Sequence, residues 1–146
     1  MTKEDKDLLL KDLCGRLPYG IKCSFGVNDA IYIIEGINPN CCGASEIQTT
    51  HIKSSINGDF RLNSCKPYLF PLSSMTEEQK KFFNDRPIFL DFENDLVVKE
   101  DFFGNSRFTM LDDWLRVINW CYENHFDIYG LIPKGLAIDC TNLNIY

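Results

Sequence analysis

The chain has no long hydrophobic run, no block of basic residues and no paired-cysteine knuckle, and each shortage excludes a class of function. Its longest apolar stretches are four or five residues, far short of the ~20 that a helix needs to span a bilayer, so no membrane partner is expected. Lys and Arg number 15 against 21 Asp and Glu, a formal charge of -6, and the basic residues are scattered. Such a surface repels phosphate backbones and disfavours nucleic acid as a partner. The acidity suits solubility at least as well as it suits a basic partner or a nucleic-acid mimic. No Gly-x-x-x-x-Gly-Lys-Ser/Thr phosphate loop, Gly-x-Gly-x-x-Gly fingerprint, nucleophile elbow or His-Glu-x-x-His helix occurs, so none of these motifs supports nucleotide, acyl-transfer or zinc-protease chemistry. The first residues, Met1-Thr2-Lys3-Glu4-Asp5, are charged and lack the apolar core of a signal peptide. Seven cysteines, Cys14, Cys23, Cys41, Cys42, Cys65, Cys121 and Cys140, form an odd and scattered set that makes a poor disulfide framework. Free thiols without an export signal point to the cytosol.

What is present is the balance of a globular domain. Of 146 residues, 45% are apolar, 13% aromatic and 25% charged, and a chain of that length forms one domain able to bury roughly 70% of its unfolded surface. Residues 2–14 read as an amphipathic helix capped by Thr2, with Leu9, Leu10, Leu13, Cys14 and Leu17 on one face and Gly15 as its stop. Alternation at Ile21, Cys23, Phe25 and Val27 predicts a half-buried strand, and Ala30 to Glu35 a strand apolar on both faces. Residues 46–53 and 59–65 complete an antiparallel meander, with Asn57-Gly58 as the turn signal between them. Thr76-Glu77-Glu78-Gln79 is a capping box that opens a short helix ending near Asn84. Residues 87–92 and 95–99 read as strands, and Met110 to Asn124 as a helix capped by Thr109. The expected fold is α+β: an antiparallel sheet of five or six strands, able to curl into a partial barrel, packed by an N-terminal and a C-terminal helix.

Three sets of residues are candidates for a site. Asp91, Glu93 and Asp95 alternate along a strand and would point to one face, a geometry able to hold Mg²⁺ or Ca²⁺ in an enzyme acting on a phosphate-containing substrate. The polar face of a half-buried strand gives the same pattern and is favoured. Cys41, Cys42, His51 and Cys65 are the residues for a zinc-stabilised module, but no C-x₂₋₄-C pair sets them up, and ordinary thiols in a sheet are the favoured reading. Aromatics exceed what one small core needs. Tyr68, Phe70, Trp120 and Tyr129 are the candidates for an exposed patch that anchors a protein partner; the alternative is a core wrapped on several sides. Cys121 and His125 lie at i,i+4 near a helix end, where the dipole raises a thiol pKa and favours a protonated histidine. A capping role for His125 is therefore preferred to a nucleophilic pair. No catalytic residue and no cofactor is expected; a protein partner is, and the oligomeric state is left open.

Two segments stand apart: Lys66-Pro67-Tyr68-Leu69-Phe70-Pro71-Leu72-Ser73-Ser74-Met75-Thr76-Glu77-Glu78, and His125-Phe126-Asp127 with Gly130-Leu131-Ile132-Pro133-Lys134-Gly135-Leu136-Ala137. On them the chain resembles a family of small uncharacterised proteins from gut bacterial genomes and from their phages and prophages. The resemblance brings no activity and no catalytic residue with it; it implies a bacterial or phage cytosolic setting. Physically, the first segment is a strand exit, a proline-bracketed crossover and a capped helix. The second is a helix exit in which Gly130 and Gly135 permit unusual backbone angles. Either could also form a docking surface. The favoured function is a small non-enzymatic interaction protein, an accessory factor of a mobile element.

Overall fold

A computed structural model of the chain describes residues 1–26, 30–38, 46–51, 57–83, 88–91, 96–99 and 107–146. Helix α1 (Lys3–Arg16) opens on a reciprocal capping box, in which Thr2 accepts from Asp5 N and Asp5 accepts from Thr2 N. It does not stop at Gly15. The helix continues to Arg16, and Pro18 then sits in a 3-10 turn, Leu17–Tyr19, closed by Gly20 in the left-handed region at φ 67°. Gly15 serves packing instead: a Cβ there would lie 2.4 Å from the Tyr122 ring. The buried stripe of α1 is Leu9, Asp12, Leu13 and Arg16, whereas Cys14, expected on that face, is exposed.

Strands β1 (Lys22–Ser24), β2 (Tyr32–Asn38), β3 (Glu46–His51) and β4 (Asn57–Arg61) form the antiparallel meander. Ile21, Cys23 and Phe25 are buried between less buried neighbours, as period-two alternation requires. β2 runs on past Gly36 to Asn38 because Gly36, Ile37 and Asn38 find partners in Gln48, Ile47 and Glu46, with a register irregularity after Ile34. Asn57 and Gly58 are not the turn but the first residues of β4, opposite Thr50 and Thr49. A 3-10 turn, Leu62–Ser64, leads to β5 (Lys66–Leu69), which pairs with β1. Helix α2 (Glu77–Lys81) follows on its Thr76–Gln79 capping box. A separate hairpin, β6 (Ile88–Asp91) and β7 (Leu96–Lys99), precedes helix α3 (Arg107–Glu123). The two-residue β8 (Ile138–Asp139) then joins the free side of β5.

The α+β class holds, but the sheet is mixed. The strand order is β4-β3-β2-β1-β5-β8, and β8 lies parallel to β5. That direction follows from the long helical crossover between them, which returns the chain to the same end of the sheet. The order runs between two ends, so among the described residues the sheet does not close into a barrel. Helix α1 packs Leu9 and Leu13 on Ile21, just before β1, and on the sheet residues Cys23, Ile34 and Ile47. Helix α3 was expected on the sheet as well. It instead joins Val117, Cys121 and Tyr122 to Leu72, Met75, Phe83, Phe126 and Ile128 in a second core. No helix among the described residues is long and apolar enough to cross a membrane.

Candidate functional site

The two segments that stand apart in the sequence are hydrogen-bonded to each other. Phe70 N donates to His125 O at 2.9 Å and Asp127 N donates to Phe70 O at 2.8 Å, a parallel bridge of Phe70 with Phe126. One residue earlier, Leu69 O accepts from Cys140 N at 2.9 Å beside the β5–β8 pairing. The chain can make this joint because α3 ends in a sharp reversal. Phe126 N donates to Cys121 O at 2.9 Å and His125 N to Tyr122 O at 3.2 Å, the two bonds of a Schellman closure. His125 occupies the left-handed position at φ 59°, where a non-glycine residue costs roughly 1–2 kcal/mol. Next along the chain, buried Asp127 accepts from Leu131 N at 2.9 Å, Ile132 N at 2.8 Å and Tyr129 N at 3.3 Å. Its carboxylate thereby holds the turn through Gly130.

Behind the joint lies an ion pair without solvent contact. Arg16 donates through Nε and Nη2 to the two carboxylate oxygens of Asp12 at 2.8 and 2.9 Å, and through Nη2 to Phe126 O at 2.6 Å. Both side chains are 0% exposed, and the guanidinium lies 4.9 Å over the Tyr122 ring. Burial raises the Asp12 carboxyl above its ordinary range, and the neighbouring guanidinium opposes that rise. The pair fastens α1 to the α3 exit. Sequence reading missed this pair; the i, i+3, i+4, i+7 spacing of positions 9, 12, 13 and 16, with two charged residues among them, is the signal that could have found it.

The outer face of the joint is a cleft of about 420 Å³ lined by Phe70, Ser74, Gln79, Glu123, Asn124, His125, Phe126 and Tyr146. The Tyr146 ring stacks on the His125 imidazole at 3.8 Å and 15°. The Tyr146 hydroxyl accepts from Lys22 N and donates to Tyr68 O, both at 3.1 Å. Asn124 donates to Trp120 O, Ser74 to Pro71 O, and Gln79 accepts from Thr76 N, so three polar side chains of the lining are oriented by backbone. His125 is pushed down to about 4, first by burial and then by Arg16 and Lys22. His125 closes α3 through its backbone rather than as the protonated side-chain cap expected: its Nδ1 is buried without a hydrogen-bond partner, and desolvation outweighs the pull of the helix dipole. Burial pushes the Cys121 thiol up to about 12 and the Cys140 thiol up to about 11, and neither is in the cleft lining. The cleft therefore offers aromatic faces, amides and hydroxyls, and among the described residues its lining includes the carboxyl group of Glu123.

The residues expected from the sequence are dispersed. Phe70 lines the cleft. Tyr68 is 8% exposed and contributes its carbonyl rather than its ring. Trp120 is half-buried between Phe82 at 5.0 Å and Phe126 at 5.7 Å, stacked on both, so it belongs to the second core. Tyr129 is half-buried, its hydroxyl bonded to that of Tyr122 at 3.2 Å and its ring under Lys11. Asp91 ends β6, while Glu93 and Asp95 lie outside the described residues. Cys41 and Cys42 lie outside them too; His51 ends β3 opposite Tyr32, and Cys65 is buried with a thiol raised by burial. Among the described residues, no three His, Cys, Asp or Glu side chains gather to hold a metal. Sequence reading missed Asn124 and Tyr146, whose types and spacing carry no site signal.

No protein-family model, no curated protein and no solved structure matches the chain.

Proposed function

We propose that the protein is a small non-enzymatic interaction protein of the bacterial or phage cytosol, which holds a segment of a protein partner in the cleft at the Phe70–Phe126 joint. The single observation behind this is that the segments around Phe70 and Phe126 are hydrogen-bonded together, and that their junction floors the cleft. Phe70 and Ser74 come from the first segment, His125 and Phe126 from the second. Aromatic faces suit apolar side chains, and backbone-oriented amides and hydroxyls suit a peptide main chain. Among the described residues no Lys or Arg is in the cleft lining itself, and the nearby Lys22 ammonium is engaged by Ile145 O and the Tyr146 ring, which suits a peptide better than a phosphate.

Affinity capture from the native host tests this with Phe70→Ala and Glu123→Arg, both checked for folding by circular dichroism. Exposed Lys3→Glu is the control. A partner taken by the starting protein and by the control should be lost about tenfold or more from both cleft variants, as for an interface centre. Equal retention by both folded variants rejects the cleft as the binding surface.

A further inference from the structure

We propose that the seat of Tyr146 is a recognition site for a phenol, occupied by the chain's own tyrosine and taken by a tyrosine side chain of the partner when segment 141–146 lifts away. The seat is a wall of the cleft proposed above, and its assignment to a partner's tyrosine rests on that reading.

The chemistry of the seat distinguishes tyrosine from its neighbours. The β1–β5 register runs Ser24↔Lys66 and Cys23↔Pro67. One residue further, Lys22 N–H and Tyr68 C=O are joined through the Tyr146 hydroxyl, which accepts from the first and donates to the second, each at 3.1 Å. A phenylalanine would leave both backbone groups without that bridge, and a serine would not fill the ring's place. The ring itself meets the imidazole of His125 at 3.8 Å, the Lys22 ammonium at 4.8 Å and the Phe70 ring at 6.0 Å. An electron-rich phenol suits that cation.

The occupant is held through its side chain while its own segment is exposed. Tyr146 is 40% exposed, and positions 141–144 are all exposed without regular structure. The backbone hydrogen bonds within the segment are local, Leu143 N to Cys140 O and Ile145 N to Leu143 O. Beyond the Tyr146 hydroxyl, its hold on the body includes the bond from Lys22 Nζ to Ile145 O. A segment exposed at 141–144, whose own backbone hydrogen bonds are local, can open without unfolding the sheet beneath it.

Titration of Tyr146→Ala with N-acetyl-tyrosinamide and N-acetyl-phenylalaninamide tests the seat, read by the Lys22 amide resonance. The tyrosine amide should bind the variant about tenfold tighter than the phenylalanine amide, as two added hydrogen bonds imply. It should also bind the variant at least about tenfold tighter than the starting protein, whose seat is filled. No binding to the folded variant, or equal binding of the two amides, overturns the proposal. A second measurement needs no substitution. In the starting protein the Lys22 amide should exchange with solvent at least about tenfold faster than the Cys23 amide, through local opening. Equal protection of the two would mean that the segment does not lift, and a Tyr146-dependent dimer in sedimentation would give the seat to a second copy; either overturns the assignment. Failure here leaves the Phe70 and Glu123 capture result untouched, so the two readings fail separately.

Discussion

Arg16 reaches the carbonyl of Phe126 with a 2.6 Å hydrogen bond across 110 positions of sequence, and the same guanidinium holds Asp12 through two more. One buried cation thus unites the first helix, the exit of the last helix and the joint beneath the cleft. Removing one partner of a buried ion pair strands a charge and costs about 3–5 kcal/mol. Urea denaturation of Arg16→Met and of Asp12→Leu should each show a loss of that order. The double variant should lose clearly less than the sum, because no charge is then left alone. Additive losses would mean that the two groups do not act as a unit.

Gly15→Ala should have the opposite sign from the usual helix substitution. In an ordinary helix interior this change stabilises by roughly 0.5–1 kcal/mol. Here the new methyl would meet the Tyr122 ring at 2.4 Å, and overpacking of this kind costs about 1–3 kcal/mol. Thermal and urea unfolding should show a loss, and the same change in a Tyr122→Ala background should show a gain. A gain in both backgrounds would contradict the close approach.

Acid should weaken the fold through His125 before the ordinary carboxylates titrate. Its native value of about 4 lies below the unfolded 6.5, so between those values the unfolded chain binds the extra proton. Stability from this group is therefore complete above pH 6.5 and is lost as pH falls toward 4. The loss is up to about 2 kcal/mol once solvent screening at the cleft edge of the ring is allowed for. His125→Asn keeps a residue that tolerates the left-handed cap and removes the titration. Denaturation at pH 7, 5.5 and 4.5 should show a steeper decline in the starting protein. Identical declines would place the titrating group elsewhere.

Local features were legible because their causes are local. Thr2 with Asp5 and Thr76 with Gln79 cap helices through bonds spanning three residues, and Ile21, Cys23 and Phe25 announce a strand by period alone. The misreadings share one cause. Gly15 looked like a helix stop and Asn57-Gly58 like a hairpin turn, because each type usually does that work. Tyr122 packed on the first, and β3 supplied partners to the second. Of the aromatic candidates, Phe70 lines the cleft while half-buried Trp120 stacks on Phe82 and Phe126; spacing on a helix does not say which distant rings will pack against it.

By itself, the order of residues determined the α+β class, the capped starts of α1 and α2 and the alternating strands, since hydrogen bonds and periodicity within a few positions suffice for these, whereas α3 begins at Arg107 and takes the expected cap Thr109 into the helix. Tertiary structure alone decided that β8 runs parallel to β5, that Asp12 and Arg16 are paired without solvent, and that His125 is neutral. Those outcomes depend on which distant groups exclude water from one another, and desolvation acts between neighbours in space whatever their separation along the chain.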